Sequence, residues 1–342
     1  MKNRYIGNAN QLLTARRVTY TEGMSQGVRA IELHNGAGLY ATCVEDQCLN
    51  LYDFSYKGIN FAFQQKNGLV SGRYFNGGAP EFNYYWPAGM MYTCGLLNVG
   101  PGKVMSDGMF HPDHGRVGMV PATDVSVTRD ETGVTITGTV REGMLCGYDL
   151  ELKRTIRFPA NDKKIIFEDT VTNLEPQSAE FMLLYHMNLG YPLLTPQSRV
   201  VKGKGGGYSI HTKGPIPENW AQCWEPEDHK DEDLFCHENT PDAGGYGYGA
   251  LINDKLGLGC YIKYHMENLP WLMHWRNMCS HDYVIGIEPS NNQVLGRDAE
   301  RENGTLQTIG GYESKTFYVE IGVLDGAEEI AAFEKMVAGL AE

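Results

Sequence analysis

Two apolar segments each carry one side chain that could transfer a proton. In "LLYHMNLGYPLL" (residues 183–194), His186 lies in a run that otherwise predicts a buried strand, and Asn188 follows two residues later. In "GIEPSNN" (residues 286–292), Glu288 follows apolar residues, and we expect Pro289 to end the strand directly after it. Burial raises a carboxyl pKa toward the range of a general base, and histidine titrates near neutral pH. The simpler alternatives are a core histidine bonded to backbone carbonyls and a strand-end glutamate in a salt bridge.

The segment "HPDHGRVG" (residues 111–118) could hold a metal ion or bind a ligand. A His-x-x-His spacing places two imidazoles on one side of a helical turn, which His111 and His114 would satisfy. Pro112 works against a helix here, however, and a third ligand would have to come from elsewhere. We therefore assign no metal to this segment, and an exposed turn is the alternative.

Aromatic residues beside polar ones form a third group. "WLMHWRNM" (residues 271–278) contains Trp275 and Arg276, and residues 84–86 read Tyr-Tyr-Trp. A flat apolar platform beside polar groups suits a sugar, because the rings cover its C–H faces while the polar groups bind its hydroxyls. Core packing with a salt bridge would give the same composition, so composition alone leaves both interpretations open.

The elements that must position these residues are mostly short β-strands. Without helices long enough for parallel crossovers, they predict antiparallel sheets in a large β-sandwich. In residues 148–158, Leu150, Leu152, Thr155 and Ile156 do not alternate regularly, which predicts a bulge or burial on both sides. The predicted strands are residues 38–45, 124–129, 133–140, 148–158, 163–173, 179–189, 282–289, 304–310 and 315–324.

The rest of the chain predicts one domain of residues 1–342 with a core at about 28–325. A terminal helix is expected at about residues 326–341, with an apolar stripe of Ile330, Phe333, Met336, Val337 and Leu340. Residues 72–123 and 201–247 are rich in glycine, proline and aromatic residues, and such long irregular segments in a compact domain are usually functional.

Bulk composition excludes several classes of partner. The formal charge of −13 and the pI of about 5.3 disfavour nucleic acid and anionic membrane surfaces. The eight cysteines form no CxxC pair, and neither a signal peptide nor a long apolar segment is evident. These features predict a cytoplasmic protein with reduced thiols and a small-molecule ligand. Exposed sheet edges would allow a homodimer.

The order of the motifs resembles the galactose mutarotase-like (aldose 1-epimerase) family, most closely its DUF4432-type branch. The resemblance extends over about residues 28–323 and implies a large antiparallel β-sandwich whose concave face holds a monosaccharide, with no cofactor. The stretches that carry it are "GGAPEFNYYWPAGMMYTCGLLNVGP", "HGRVGMVPA", "LLYHMNLGYPLL" and "HWRNMCSHDYVIGIEPSNNQVLGRDAERENGTL".

The resemblance also implies roles for individual residues. In mutarotases of this family a strand glutamate takes the proton of the anomeric hydroxyl and a histidine protonates the ring oxygen. The ring then opens, the C1–C2 bond rotates, and the ring closes as the other anomer. These two places fall on Glu288 and His186, and a second, substrate-binding histidine matches His114. Because acid and base act on two oxygens of one carbon, we expect them to approach from opposite sides of a shared pocket.

Further substrate-binding candidates are Asn188, Trp275 and three arginines. Asn188 shares a strand face with His186, whereas Tyr185 should face the opposite layer. Arginines would leave open a phosphate or carboxylate on the sugar. The three arginines are Arg73, Arg116 and Arg276.

Two positions depart from the family pattern, and two alternative functions are open. Relatives carry an arginine and an aspartate where this chain has Gln47 and Asn50, which predicts a different sugar. One alternative is an isomerase or lyase of an oxidised or acidic sugar, with a metal held by His111, His114, His186 and Glu288. The other is a sugar-binding or sensing protein without turnover, although such a protein would need neither an acid nor a base.

Overall fold

Two antiparallel sheets make up most of the molecule. A computed structural model describes residues 4–76, 81–229 and 231–340. Residues 77–80, which begin one of the stretches that resemble the mutarotases, and residue 341 of the expected terminal helix lie outside the described residues. The twelve-stranded sheet has the order β1-β2-β3-β4-β6-β13-β20-β19-β16-β15, with β5 on β4 and β21 on β13. Its strands are β1 Thr14–Thr19, β2 Arg29–His34, β3 Leu39–Val44, β4 Asn50–Tyr56, β5 Ile59–Asn60, β6 Met91–Leu96, β13 Ala179–Leu189, β15 Gly207–Ser209, β16 Asp233–Glu238, β19 Trp271–Cys279, β20 Asp282–Ser290 and β21 Gln307–Ile309.

The second sheet has eight strands in the order β14-β17-β18-β22-β12-β11-β10-β9. Its strands are β9 Thr123–Arg129, β10 Gly133–Gly143, β11 Asp149–Pro159, β12 Lys164–Asn173, β14 Ser198–Lys202, β17 Tyr246–Asn253, β18 Leu258–His265 and β22 Ser314–Asp325. A separate hairpin joins β7 Lys103–Val104 and β8 Phe110–His111, and the α-helices are α1 Phe82–Tyr85, α2 Arg297–Glu302 and α3 Ala327–Ala338.

The fold is the antiparallel β-sandwich that the sequence predicts, and each predicted strand is present. Side chains of both sheets form one continuous apolar core between them. On β13, Leu183, Tyr185, Met187 and Leu189 point into this core, as expected for Tyr185. The alternate residues of β13 therefore face the other side of the twelve-stranded sheet, where the candidate site lies.

Strand β11 contradicts one expectation. Its buried residues alternate without interruption, and β11 pairs with β10 and β12 in continuous register, so the predicted bulge is wrong. The alternation is completed by Arg154, which is 1% exposed and bonds Asp169 of β12. On β12, Ile165, Phe167, Asp169 and Val171 are the buried residues of a regular alternation.

Helix α3 covers the outer face of the eight-stranded sheet. Ile330, Phe333 and Val337 pack against Tyr248 and other residues of that sheet. Met336 was expected in the same stripe but is 40% exposed, because its position on the helix turns it away from the sheet. Among the described residues, no helix is both long and apolar enough to cross a membrane.

Candidate active site

A cavity of about 770 Å³ lies over the face of the twelve-stranded sheet that points away from the core. The two long irregular segments, residues 72–123 and 201–247, supply about half of its lining residues. Strands β13, β19 and β20 supply its floor. The lining residues are Phe63, Gln65, Lys66, Phe82, Asn83, Trp86, Gly100, Pro101, Asp113, His114, His186, Ile210, His211, Glu232, Leu234, Trp275, Asn277, Asp282, Glu288, Val294 and Leu295.

His186 and Glu288 are neighbours across two paired strands. Leu184 pairs with Ser290 and Met187 with Ile287, so the same register sets His186 opposite Glu288. Directly opposed residues in antiparallel strands point to the same face of the sheet. The side chains of His186 and Glu288 therefore both lie on the cavity floor.

Strand β20 continues one residue past Pro289, which corrects the expectation that this proline ends the ladder. Leu272 of β19 pairs with Pro289, and Trp271 pairs with Ser290. A proline is tolerated in a strand where its missing N–H is not needed by a neighbour. Glu288 is thus held between two strands rather than at a free strand end.

The imidazole of His186 touches the carboxyl group of Glu288. His186 Nδ1 lies 3.2 Å from Glu288 Oε1, although the two atoms lack the alignment of a hydrogen bond. Both side chains are buried, with exposed fractions of 7% for His186 and 1% for Glu288. The expectation that acid and base stand on opposite sides of the pocket is wrong, because cross-strand neighbours share one wall.

Burial shifts both groups toward their neutral forms. Desolvation raises the pKa of the Glu288 carboxyl well above its usual range, and the nearby charge of Glu232 adds to this. Desolvation also lowers the pKa of His186 well below its usual value, and His114 adds to this. Both groups are therefore neutral at neutral pH, with the acidic proton of the pair on Glu288 and 3.2 Å between Glu288 Oε1 and His186 Nδ1.

His114 stands beside this pair. Its ring centroid is 5.7 Å from that of His186, and burial lowers the pKa of His114 to about 4. Its backbone has a positive φ of 53°, fixed by a bond from His114 N–H to the Gly100 carbonyl and by the His114 carbonyl, which accepts from Gly95 N–H. At neutral pH the imidazole is uncharged, and its Nδ1 atom is buried without a hydrogen-bond partner. It can therefore bind a hydroxyl group as donor or acceptor.

Two tryptophans flank the acid–base pair. The ring centroids of Trp86 and Trp275 lie 5.1 and 5.6 Å from that of His186 and 6.0 Å from each other. Trp275 is fixed by a 2.7 Å hydrogen bond from its Nε1 to Glu232. Both rings line the cavity, whereas Tyr84 and Tyr85 do not.

Four predicted site residues do not reach the cavity. Asn188 is fully buried and donates to the carbonyls of Gly89 and His186, at 2.9 and 3.0 Å. It therefore braces the backbone behind the acid–base pair. The other three are Arg73, Arg116 and Arg276.

Each of these arginines donates hydrogen bonds to groups of the protein outside the cavity. Arg276 is 3% exposed and bonds Asp233 at 2.8 Å and the Asn219 carbonyl at 2.7 Å. It follows Trp275 in β19, and successive residues of a strand point to opposite faces, so only one of the two can face the cavity. Arg116 donates to the Phe110 carbonyl at 2.8 Å, and the exposed Arg73 donates to the Gln26 carbonyl.

The two departures from the family pattern also lie away from the cavity. Gln47 is buried and donates to the Val70 carbonyl. Asn50 donates to the Gly118 carbonyl at 3.0 Å and accepts from the Thr93 hydroxyl at 2.8 Å. Both residues therefore fix the backbone around β4 and β6, and neither lines the cavity.

Several polar lining residues were not assigned from the sequence. Asp282 lies six residues before Glu288 on β20, an even separation that places both on one face, and it pairs with Lys66 at 2.5 Å. Asp113 precedes His114 in a segment already singled out, and burial raises its pKa. Nothing in the local pattern pointed to Glu232 or Asn277.

The histidines of the "HPDHGRVG" segment do not converge on one point. His111 contacts Asp107 at 2.8 Å and does not line the cavity, whereas His114 does. In the described part of the chain, no group of three or more His, Cys, Asp or Glu side chains has an arrangement that could hold a metal ion.

The chain belongs to the family described as a domain of unknown function (DUF4432), whose sequence model matches residues 25–323. No curated protein sequence matches the chain. The family assignment agrees with the branch that the sequence motifs resemble.

Solved structures give the chain a galactose mutarotase-like fold. A proposed aldose 1-epimerase from Klebsiella pneumoniae has a TM-score of 0.88 at 21% identity, covering 96% of this chain and 88% of its own. A galactose mutarotase-like protein from Clostridium acetobutylicum has a TM-score of 0.66 at 13% identity, with coverages of 92% and 100%. For galactose 1-epimerase from Lactobacillus acidophilus the TM-score is 0.60 at 14% identity, with coverages of 92% and 99%.

Proposed function

We propose that the protein is an isomerase that interconverts the anomers of a monosaccharide or a sugar derivative by general acid–base catalysis. The observation that carries this proposal is the buried contact between His186 and Glu288 on the cavity floor. A site that only bound sugars would not need two titratable groups buried against each other, since burying such groups is costly. The fold shared with galactose 1-epimerase and other mutarotase-like proteins supports the same reaction class.

In the proposed reaction, Glu288 and His186 act on the two oxygens bonded to the anomeric carbon. The Glu288 carboxylate takes the proton of the anomeric hydroxyl while the His186 imidazolium gives a proton to the ring oxygen. The bond from C1 to the ring oxygen breaks as the carbonyl forms at C1. Rotation about the C1–C2 bond and the reverse proton transfers then close the ring as the other anomer.

These roles require Glu288 as a carboxylate and His186 as an imidazolium. The bound sugar can stabilise this charged form. Hydrogen bonds from sugar hydroxyls to a carboxylate favour its ionised form. A small rotation that aligns the two side chains would then let the proton of Glu288 pass to His186 Nδ1, which lies 3.2 Å away.

His186→Gln should lower the enzyme-accelerated rate of anomer interconversion at least about 10²-fold, because glutamine cannot protonate the ring oxygen. Polarimetry or NMR on a panel of freshly dissolved aldoses measures the rate above the spontaneous reaction. His34→Gln is the matched control, since His34 is exposed at the end of β2 and lies outside the cavity. A His186→Gln protein with a wild-type rate would contradict the assignment of the acid.

Gly286→Ala should also impair turnover, because Gly286 makes room for the catalytic carboxyl. A Cβ atom there would lie 2.1 Å from Glu288 Oε1 and 2.9 Å from the Trp275 Cβ. Displacing the carboxyl by about 1 Å is expected to reduce the rate by the order of 10²-fold. Gly7→Ala is the control, since a Cβ at Gly7 meets no atom within 4 Å. Equal rates for the two alanine variants would show that the position of Glu288 is not critical.

A further inference from the structure

The charges around the cavity are predominantly negative. Four of its lining residues carry carboxyl groups: Asp113, Glu232, Asp282 and Glu288. Of the residues that the structure describes, Lys66 is the one lysine or arginine in the lining, and Asp282 already neutralises it at 2.5 Å. Two carboxyl groups outside the catalytic pair, those of Asp113 and Glu232, therefore have no cationic partner within the lining.

These two carboxyl groups lie near the acid–base pair. Glu232 bonds the Nε1 atom of Trp275, whose ring is 5.6 Å from that of His186. Asp113 adjoins His114, whose ring is 5.7 Å from that of His186. A sugar that contacts Glu288 would thus share the cavity with two further acidic side chains.

The other polar groups of the lining do not neutralise this negative charge. Glu288 and His114 line the cavity, and Glu288 Oε1 and His114 Nδ1 are buried without a hydrogen-bond partner. Among the described residues, the arginines that would recognise a phosphate or carboxylate are held elsewhere in the protein. An anionic sugar would therefore enter a desolvated, acidic space without a compensating charge, which is unfavourable.

We propose that the cavity selects sugars by charge, preferring a cationic amino sugar over the neutral aldose and rejecting sugar phosphates and uronates. The selectivity in turnover rests on the proposed function, whereas the selectivity in binding can be tested without it. Asp113 and Glu232 are the residues that determine it. Their carboxylates would attract a protonated amine and repel an anionic substituent.

The test compares four ligands of one aldose series: the neutral sugar, its 2-amino derivative, its 6-phosphate and its uronate. Affinity is measured by calorimetry or ligand-observed NMR, and kcat/KM for anomer interconversion is measured by NMR, all at one pH and low ionic strength. Affinity and kcat/KM should fall about tenfold from the amino sugar to the neutral sugar, and about tenfold again from the neutral sugar to the anionic ones. A unit charge at roughly 10 Å with an effective dielectric constant of about 20 has an effect of this size.

Glu232→Gln should reduce the preference for the amino sugar over the 6-phosphate by about a hundredfold on the same estimate, because it weakens binding of the amine and strengthens binding of the phosphate by about tenfold each. Glu328→Gln is the matched control, because it removes the same charge from the exposed first turn of α3, outside the cavity. An unchanged preference in Glu232→Gln, or an equal change in both variants, would overturn the assignment of this residue as a selectivity determinant.

The outcomes separate this proposal from the proposed function. Binding in the order amino, neutral and anionic without accelerated interconversion would support charge selection and contradict the epimerase activity. Turnover that favours the phosphate or the uronate would support the activity and overturn charge selection. Failure of all four sugars to bind would contradict both.

Discussion

Glu288→Gln is expected to reduce accelerated anomer interconversion by about 10³–10⁴-fold, the upper part of the range for loss of a general base. Glutamine keeps the size of the side chain and its polar contacts, but it cannot take the proton of the anomeric hydroxyl. Because Glu288 lies 3.2 Å from His186, its loss also removes the group that exchanges a proton with the acid. Single-turnover or initial-rate NMR with the preferred sugar measures the effect.

The same substitution should leave stability unchanged or increase it at high pH. Burial raises the pKa of Glu288 in the folded protein above its unfolded value of roughly 4.3. A carboxyl with a raised folded pKa contributes stability that is present below the unfolded pKa and is lost as pH rises through the folded pKa. Removal of that carboxyl should therefore flatten the decline of the melting temperature on the alkaline side.

The two readouts together distinguish a catalytic role from a structural one. Glu328→Gln changes an exposed glutamate of α3 and should affect neither the rate nor the pH profile of stability. Full activity in Glu288→Gln would contradict the catalytic assignment. Lost activity accompanied by a lower melting temperature at every pH would indicate that Glu288 is needed for the fold, and Gly286→Ala would then carry the test of carboxyl position.

The fold and the shared cavity of His186 and Glu288 could be predicted because their signals are local or depend on motif order. Alternating apolar residues define strands such as β12 without reference to the rest of the chain. The pairing of His186 with Glu288 was predicted through a family resemblance, because strand periodicity gives the face of each residue but not which strands are neighbours. The direct contact between them depends on the register of β13 with β20, which the sequence did not reveal.

The three arginines predicted to bind substrate lie outside the cavity for a physical reason. Arginine suits both a ligand phosphate and a buried protein carboxylate, so its presence near a site does not indicate which it binds. For Arg276 the period of two was informative, since Trp275 and Arg276 cannot both face the cavity. Glu232 escaped notice because it lies in an irregular segment, where no period indicates which side chains converge.

The buried arginine of β11 is expected to have a second large effect, on stability. Arg154 and Asp169 have fully buried side chains, and the guanidinium donates to both carboxylate oxygens. The pair also joins the two sheets, because Asp169 accepts from the Tyr185 hydroxyl at 2.7 Å and Arg154 donates to the Thr93 hydroxyl at 3.0 Å. Arg154 thus occupies a position at which the period of two places a side chain in the core. Because arginine is charged, the sequence pattern did not identify this position as buried.

Arg154→Met should reduce the free energy of unfolding by about 3–5 kcal/mol, because it leaves the Asp169 carboxylate buried without a cation. Urea unfolding measures this loss. The matched control is Arg157→Met, which breaks an exposed 2.7 Å pair between Arg157 and Glu168 on the same two strands and should cost no more than about 1 kcal/mol.

The double variant Arg154→Met, Asp169→Leu separates the cost of an unpaired charge from the cost of lost packing. It should recover much of the stability, since replacing both members of a buried pair with apolar residues is often neutral or favourable. If Arg154→Met cost no more than Arg157→Met, the buried pair would contribute nothing beyond an exposed one. If the double variant were as unstable as the single one, the bonds to Thr93 and Tyr185, rather than charge pairing, would hold the sheets together.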